Sequence, residues 1–125
     1  MASQVERGRW AETIAAYYLR LQGYTVLDRN VRVGHLEIDL VARKGRLLCV
    51  VEVKYRATPG HGGAAGAVGV RKQRDLETAA LTHMRRAGLR GSLRFDVITV
   101  TAEGEQGLKV THLPGAFRAT GRYRA

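Results

Sequence analysis

Asp39, Glu52 and Lys54 are the residues of this chain whose types and spacing could carry out a reaction. Asp39 stands in the run Leu36-Glu37-Ile38-Asp39-Leu40-Val41, and Glu52 and Lys54 interrupt the apolar run that begins at Leu47. An ionised group taken out of water without a partner is costly, so charges in such company need a counter-charge or a metal. Two carboxylates with positions left open for water and phosphate suit Mg2+ or Mn2+ better than zinc. A lysine beside such an ion can orient or activate a water and stabilise charge on a pentavalent phosphorus. Metal-assisted phosphodiester hydrolysis is the reaction class that follows. From spacing alone a second reading stands level with it, in which Glu52 and Lys54 belong to an exposed ion-pair network on an edge strand. His35, His61, His83 and His112 lack metal-ligand spacing and read as surface or loop residues.

These groups act together only if the surrounding elements position them. Ile14, Ala15, Tyr18, Leu19 and Leu21 recur near a period of 3.6, which predicts a helix over residues 4 to 22 that stops at Gly23. Strands are expected over Tyr24 to Asp28, Leu36 to Arg43 and Leu47 to Tyr55, with Lys44-Gly45 as the turn between the last two. The glycine-rich stretch from Ala57 to Gly69 reads as a mobile loop. Helical periodicity returns from Val70 to Ala87 and ends at Gly88; a strand over Leu93 to Thr101 and a short one over Leu108 to His112 follow. The order α-β-β-β-α-β, with one more short strand, gives a single α/β domain built on a mixed sheet. That domain is expected to span residues 1–117. Few anchors follow Pro114, and residues 118–125 read as a basic, flexible tail.

Side chains alternate across a strand, so Glu37 and Asp39 share one face, as do Glu52 and Lys54. With Lys44-Gly45 as a two-residue loop, Arg43 pairs with Arg46, Glu37 falls opposite Glu52, and Asp39 falls opposite Val50. Asp39 and Glu52 are then diagonal neighbours, about 7 to 8 Å apart at Cα and able to share an ion. A register changed by one residue separates them.

Composition adds a partner class. The 125 residues contain 21 Lys and Arg against 11 Asp and Glu, a net charge of +10 that favours polyanions, nucleic acid foremost. Arg71, Lys72 and Arg74 sit in the first turn of the second helix, where the macrodipole disfavours cations, and are candidate nucleic-acid contacts; an ordinary solvated face weighs equally. Trp10, Tyr17, Tyr18 and Tyr24 are candidate stacking surfaces for unpaired bases, with Tyr18 reading rather as core by its helical position and Trp10 left open between the two. The glycines between Gly60 and Gly69 lack the Gly-Lys-Ser/Thr ending of a phosphate-binding loop. The single Cys49 reads as a buried side chain in a reducing compartment, and Asp96 as the partner of an arginine in a structural ion pair. Without an apolar leader or a run long enough to span a bilayer, a cytoplasmic location away from membranes is expected.

At Asp39 and Glu52-Val53-Lys54 the sequence resembles the PD-(D/E)xK nuclease superfamily, and more closely the YraN family, also called UPF0102. Supporting matches are Ala11-Glu12, Gly23-Tyr24, Arg29-Asn30, Glu37-Ile38-Asp39-Leu40, Val51 to Arg56, Val70 with Lys72, Ala79-Ala80 and Arg94 to Ile98. His35-Leu36 departs from the pattern, where the family usually has glycine directly before Glu37. The resemblance implies an α-β-β-β-α-β restriction-endonuclease-like core with a mixed central sheet flanked by helices, similar to archaeal Holliday junction resolvases. It further implies Asp39 and Glu52 as metal ligands, Lys54 as the catalytic lysine, Glu12 approaching from the helix, and a homodimer; Glu37 is a possible accessory group. The expected function is Mg2+- or Mn2+-dependent endonucleolytic hydrolysis of DNA, with branched or structured DNA as candidate substrates. Two alternatives stand beside it: a nucleic-acid-binding protein that keeps the nuclease fold with little or no hydrolytic activity, and a basic adaptor for protein or RNA.

Overall fold

The computed structural model describes residues 3–57 and 68–117. Helix α1 (Gln4–Leu21) starts at a capping box: Glu6 N donates to Ser3 Oγ at 3.1 Å, and Ser3 N donates to Glu6 Oε1 at 3.2 Å. Strands β1 (Thr25–Val33), β2 (Leu36–Lys44) and β3 (Leu47–Arg56) follow as an antiparallel meander. Helix α2 (Val70–Ala87) then carries the chain to β4 (Ser92–Ala102), which lies parallel to β3, and β5 (Leu108–Phe117) returns antiparallel to β4. The five-stranded mixed sheet has the order β1-β2-β3-β4-β5. The fold is therefore a single α/β domain in the expected order, closed by the additional last strand, which is longer than expected.

Each helix covers one sheet face. Ala11, Ala15, Ala16 and Leu19 of α1 pack on Leu40, Ala42, Cys49, Val51, Ile98 and Val100. On the other face, Leu76, Ala79 and Ala80 of α2 pack on Ile38, Val41, Val50 and Phe95. The alanines let both helices approach the sheet closely, and the β-branched residues fill the pleats.

Several sequence expectations need correction. β1 runs on to Val33 rather than ending at Asp28. Lys44 pairs with Leu47, so the hairpin loop is Gly45-Arg46, not Lys44-Gly45. Lys44 keeps its strand position because Nζ donates to Gln22 O at 2.9 Å, and Gly45 supplies the positive φ of the turn, +59°. Leu40 consequently faces Val51, which displaces the expected register by two residues and rules out Asp39 opposite Val50 or Glu37 opposite Glu52. β5 reaches Phe117, and Phe117 stacks on Phe95 with ring centroids 4.8 Å apart, so Pro114 to Phe117 is anchored. His61, most of the glycine-rich stretch and residues 118–125 lie outside the described residues.

Candidate metal centre

The site begins with a slip in strand alternation. Leu40 and Ala42 face α1 and Val41 faces α2, yet Ile38 also faces α2, where regular alternation would place it beside Leu40. The partner strand slips at the same level. Asp28 reaches His83 of α2, Arg29 reaches Thr13 of α1, and Val31 is back against the α2 core. Arg29 pairs with Leu40 and Val31 with Ile38, which sets Asn30 opposite Asp39 at the break. Asn30 is the one non-glycine residue of positive φ, +53°, among those described, a conformation asparagine tolerates better than most residues.

The slip turns Asp39 toward the α1 side, where Glu37 and Glu12 already point. One oxygen from each of Glu12, Glu37 and Asp39 lies within 4.8 Å of the others. Glu12, Asn30 and Glu37 also line a cleft of about 430 Å³, together with Arg9 and Gly8 of α1. Between β2 and β3 the ladder ends at Leu40 and Val51, and Val53 N donates to Asp39 Oδ2 at 2.8 Å. A side-chain oxygen thus takes over a backbone donor where the strands part, and fixes the carboxylate at the fork.

Burial, with neighbouring charge added to it, raises the proton affinity of Asp39 and Glu12. Burial is the main cause that pushes Asp39 up to about 7; the Val53 N–H opposes it, and the charges of Glu52, Glu12 and Glu37 add to it. Burial also raises Glu12, opposed by its bond with Asn30 and reinforced by Glu37. Glu12 Oε1 is buried without a hydrogen-bond partner. Oxygens held at this spacing fit a hard cation, since ligand distances of about 2.1 to 2.5 Å place opposite ligands about 4.2 to 5 Å apart. A buried carboxylate oxygen without a partner, on one of the three residues of this group, fits the same donor set.

Glu52 stands beside the three-carboxylate group rather than in it, although its charge is the largest of those acting on Asp39. Alternation along β3 from Val50, in the α2-side core, carries Glu52 and Lys54 to the α2 side. Glu52 there accepts from Lys72 Nζ at 2.7 Å, a bond that raises the Lys72 pKa. Lys72 therefore reaches a site residue, whereas Arg71 and Arg74 are exposed on α2. Trp10 packs edge-on against Tyr55, at 5.9 Å between centroids. The Cys49 thiol is pushed up to about 11, burial first, which leaves little thiolate for chemistry.

Asp96 is the structural ion pair expected of it. Its two oxygens accept from Arg94 Nε at 2.8 Å and Nη2 at 2.7 Å, and Gly115 N donates to Oδ1 at 3.0 Å. His112 joins Asp96 Oδ2 at 2.7 Å and Tyr18 Oη at 3.2 Å, and His83 joins Asp28 at 2.9 Å. These two histidines are thus fastened into the fold rather than surface residues. The sequence reading missed Asn30 as a site element; its place in Arg29-Asn30, in a stretch with strand character, was the available signal.

Residues 11–100 match the model of a family described as "Uncharacterised protein family UPF0102". The chain belongs to this family. A UPF0102 protein of Syntrophotalea carbinolica is 48% identical over 115 residues, covering 91% of this chain and 93% of that one. UPF0102 proteins of Chlorobium chlorochromatii and Myxococcus xanthus are 40% and 41% identical, each alignment covering more than nine-tenths of both chains. Among solved structures, SfsA of Pyrococcus furiosus in complex with Ca2+ is similar at TM-score 0.41 and 17% identity, over 87% of this chain and 63% of that one. Glu12, Asn30, Glu37, Asp39, Glu52 and Lys54 all fall inside the span matched by the UPF0102 model. No helix among the described residues is long and apolar enough to cross a membrane.

Proposed function

We propose that this UPF0102 protein is a divalent-metal-dependent nuclease that hydrolyses phosphodiester bonds of DNA. The observation that carries the reading is the convergence of Glu12, Glu37 and Asp39 within 4.8 Å at a strand fork, in a chain of net charge +10. Like charges held together are unfavourable and are relieved by protonation or by a cation, so this acidic centre suits a divalent ion, while the basic remainder attracts a polyanion. Asp39, Glu37 and Glu12 would hold Mg2+ or Mn2+, and Glu52 joins them once released from Lys72. The bound ion supplies Lewis acidity toward a phosphate oxygen and lowers the pKa of a water.

The chain's own residues do the rest. The Val53 N–H holds Asp39 in position, and Asn30 holds Glu12. Lys54, which alternation sets on the same side of β3 as Glu52, is the cation we assign to charge developing on a phosphate brought to the rim of the fork. Lys72 is placed to exchange Glu52 for a phosphate oxygen of an incoming strand.

One observation favours a second reading. Glu52 is engaged by Lys72 rather than converging with the other carboxylates, as suits a protein that binds nucleic acid through a nuclease fold without cutting it. Cleavage separates the two. Labelled linear, single-stranded and four-way-junction DNA is incubated with Mg2+ or Mn2+ and the parent, Asp39→Asn or Lys54→Ala. Hydrolysis by the parent, reduced at least about 100-fold in both variants with binding retained, supports the enzyme. Salt-dependent binding with no cleavage in either metal supports the binding protein.

A further inference from the structure

A second constellation lies at the opposite end of β2 and has no part in the metal centre. Arg43, Arg46 and Arg90 line a cleft of about 390 Å³ with Gly91 and Ser92, and among the described residues no carboxylate contributes to its lining. Three guanidiniums on one small cleft repel one another, and an anion among them relieves that repulsion. Among the described residues no ion pair engages any of the three.

The cleft is built rather than incidental. Arg43 is half-buried, and its guanidinium donates to Gly45 O at 3.2 Å and to Arg90 O at 2.7 Å, which ties the hairpin loop to the segment after α2. Ser92 N donates to Arg46 O at 2.9 Å and closes the same junction. Gly91 takes φ +148°, and a Cβ there would collide with the Arg46 carbonyl, so only glycine lets the two segments meet. Arg43 thus forms a fixed cationic floor, with the exposed Arg46 and Arg90 at the rim. A fixed planar guanidinium beside two free ones suits tetrahedral oxyanions, which arginine binds through paired N–H donors.

We propose that this cleft is a second anchoring site, in which Arg46 and Arg90, on the floor made by Arg43, hold a backbone phosphate of bound nucleic acid. The proposal rests on the reading of the protein as one that acts on nucleic acid. Asp39 and Arg43 are four positions apart on β2, about 13 Å at ~3.3 Å per residue, with side chains on opposite sides of the sheet, so the anchor takes a phosphate of a strand that passes around the sheet edge rather than one lying in the acidic cleft. The acidic centre repels phosphates in the absence of metal, and an anchor of opposite charge at this distance offsets that repulsion.

The test measures binding of a labelled DNA duplex by anisotropy across a salt series in the full chain, for the parent, Arg46→Ala/Arg90→Ala and Arg85→Ala/Arg86→Ala. Arg85 and Arg86 are exposed in the last turn of α2 and outside the cleft, so their removal controls for the loss of two charges. The rim variant keeps Arg43 and every backbone bond of the junction, and its melting curve verifies that it folds. The expected result is a loss of affinity of about 10-fold or more in the rim variant, with a salt slope reduced by about 1 to 2, against a smaller loss in the control. Equal affinity in the two double variants overturns the anchoring site while leaving the nucleic-acid reading in place. A parent that binds no nucleic acid even at low salt overturns both.

Discussion

Asp39 concentrates the chemistry of the site in one titration. An unfolded chain releases this proton near the ordinary carboxylate value, whereas the folded chain holds it up to about 7, chiefly through burial. The native state therefore binds more protons than the unfolded state between about pH 4 and pH 7, and its stability falls as pH rises across that window. Mg2+ and Mn2+ require the ionised form, so the stabilisation they confer should grow over the same rise. Melting temperatures in a pH series should show little effect of Mn2+ at about pH 5.5 and a clear increase at about pH 8; equal stabilisation at both contradicts the assignment. Asp39→Asn keeps an acceptor for Val53 N–H and removes the charge, so without metal it should melt above the parent at about pH 8 and respond weakly to Mn2+. Lys72→Ala tests a weaker contact, since the Lys72 side chain is 58% exposed, and should change stability by less than about 1 kcal/mol.

At the scale of elements, the joint between β4 and β5 carries the fold. Burial alone would raise the Asp96 pKa, but the bonds from Arg94, Gly115 N–H and His112 hold it below the ordinary value. That stabilisation is present above the unfolded carboxylate pKa and is lost as pH falls through the lower folded one. Asp96→Ala strands Arg94 and His112 and should cost about 3 to 5 kcal/mol in urea denaturation; a change below about 1 kcal/mol contradicts the role given to the joint. The same joint explains what the sequence concealed. Pro114 and Gly115 look like a strand ending, yet a proline is tolerated at an edge, and the Gly115 N–H is taken up by Asp96 rather than by a ladder. The two helices and the β2–β3 hairpin were legible because their apolar periods agree with the faces they bury. The hairpin register was not, because Lys44 is held in its strand by Gln22, a contact between distant elements. The gathering of Glu12 and Glu37 around Asp39 depends on the slip at Asn30, and no strand pattern encodes a positive φ at an asparagine.

At the scale of the whole molecule, the charge is segregated. Carboxylates gather at the fork of β2 and β3, and arginines gather around the hairpin loop at the far end of the same strands. The net charge of +10 draws a polyanion to the surface, and the acidic centre accepts its phosphates only when a cation neutralises it. Metal binding is thus the step on which the whole reading depends. The most direct measurement is titration of Mn2+ into the protein at about pH 8, following the free-ion paramagnetic signal, for the parent and for Glu12→Gln/Asp39→Asn. The expected result is saturable loss of free Mn2+ by the parent, weakened at least about 10-fold in the double variant. Equal Mn2+ binding by the two proteins, or none by the parent, would contradict a metal centre at Glu12, Glu37 and Asp39.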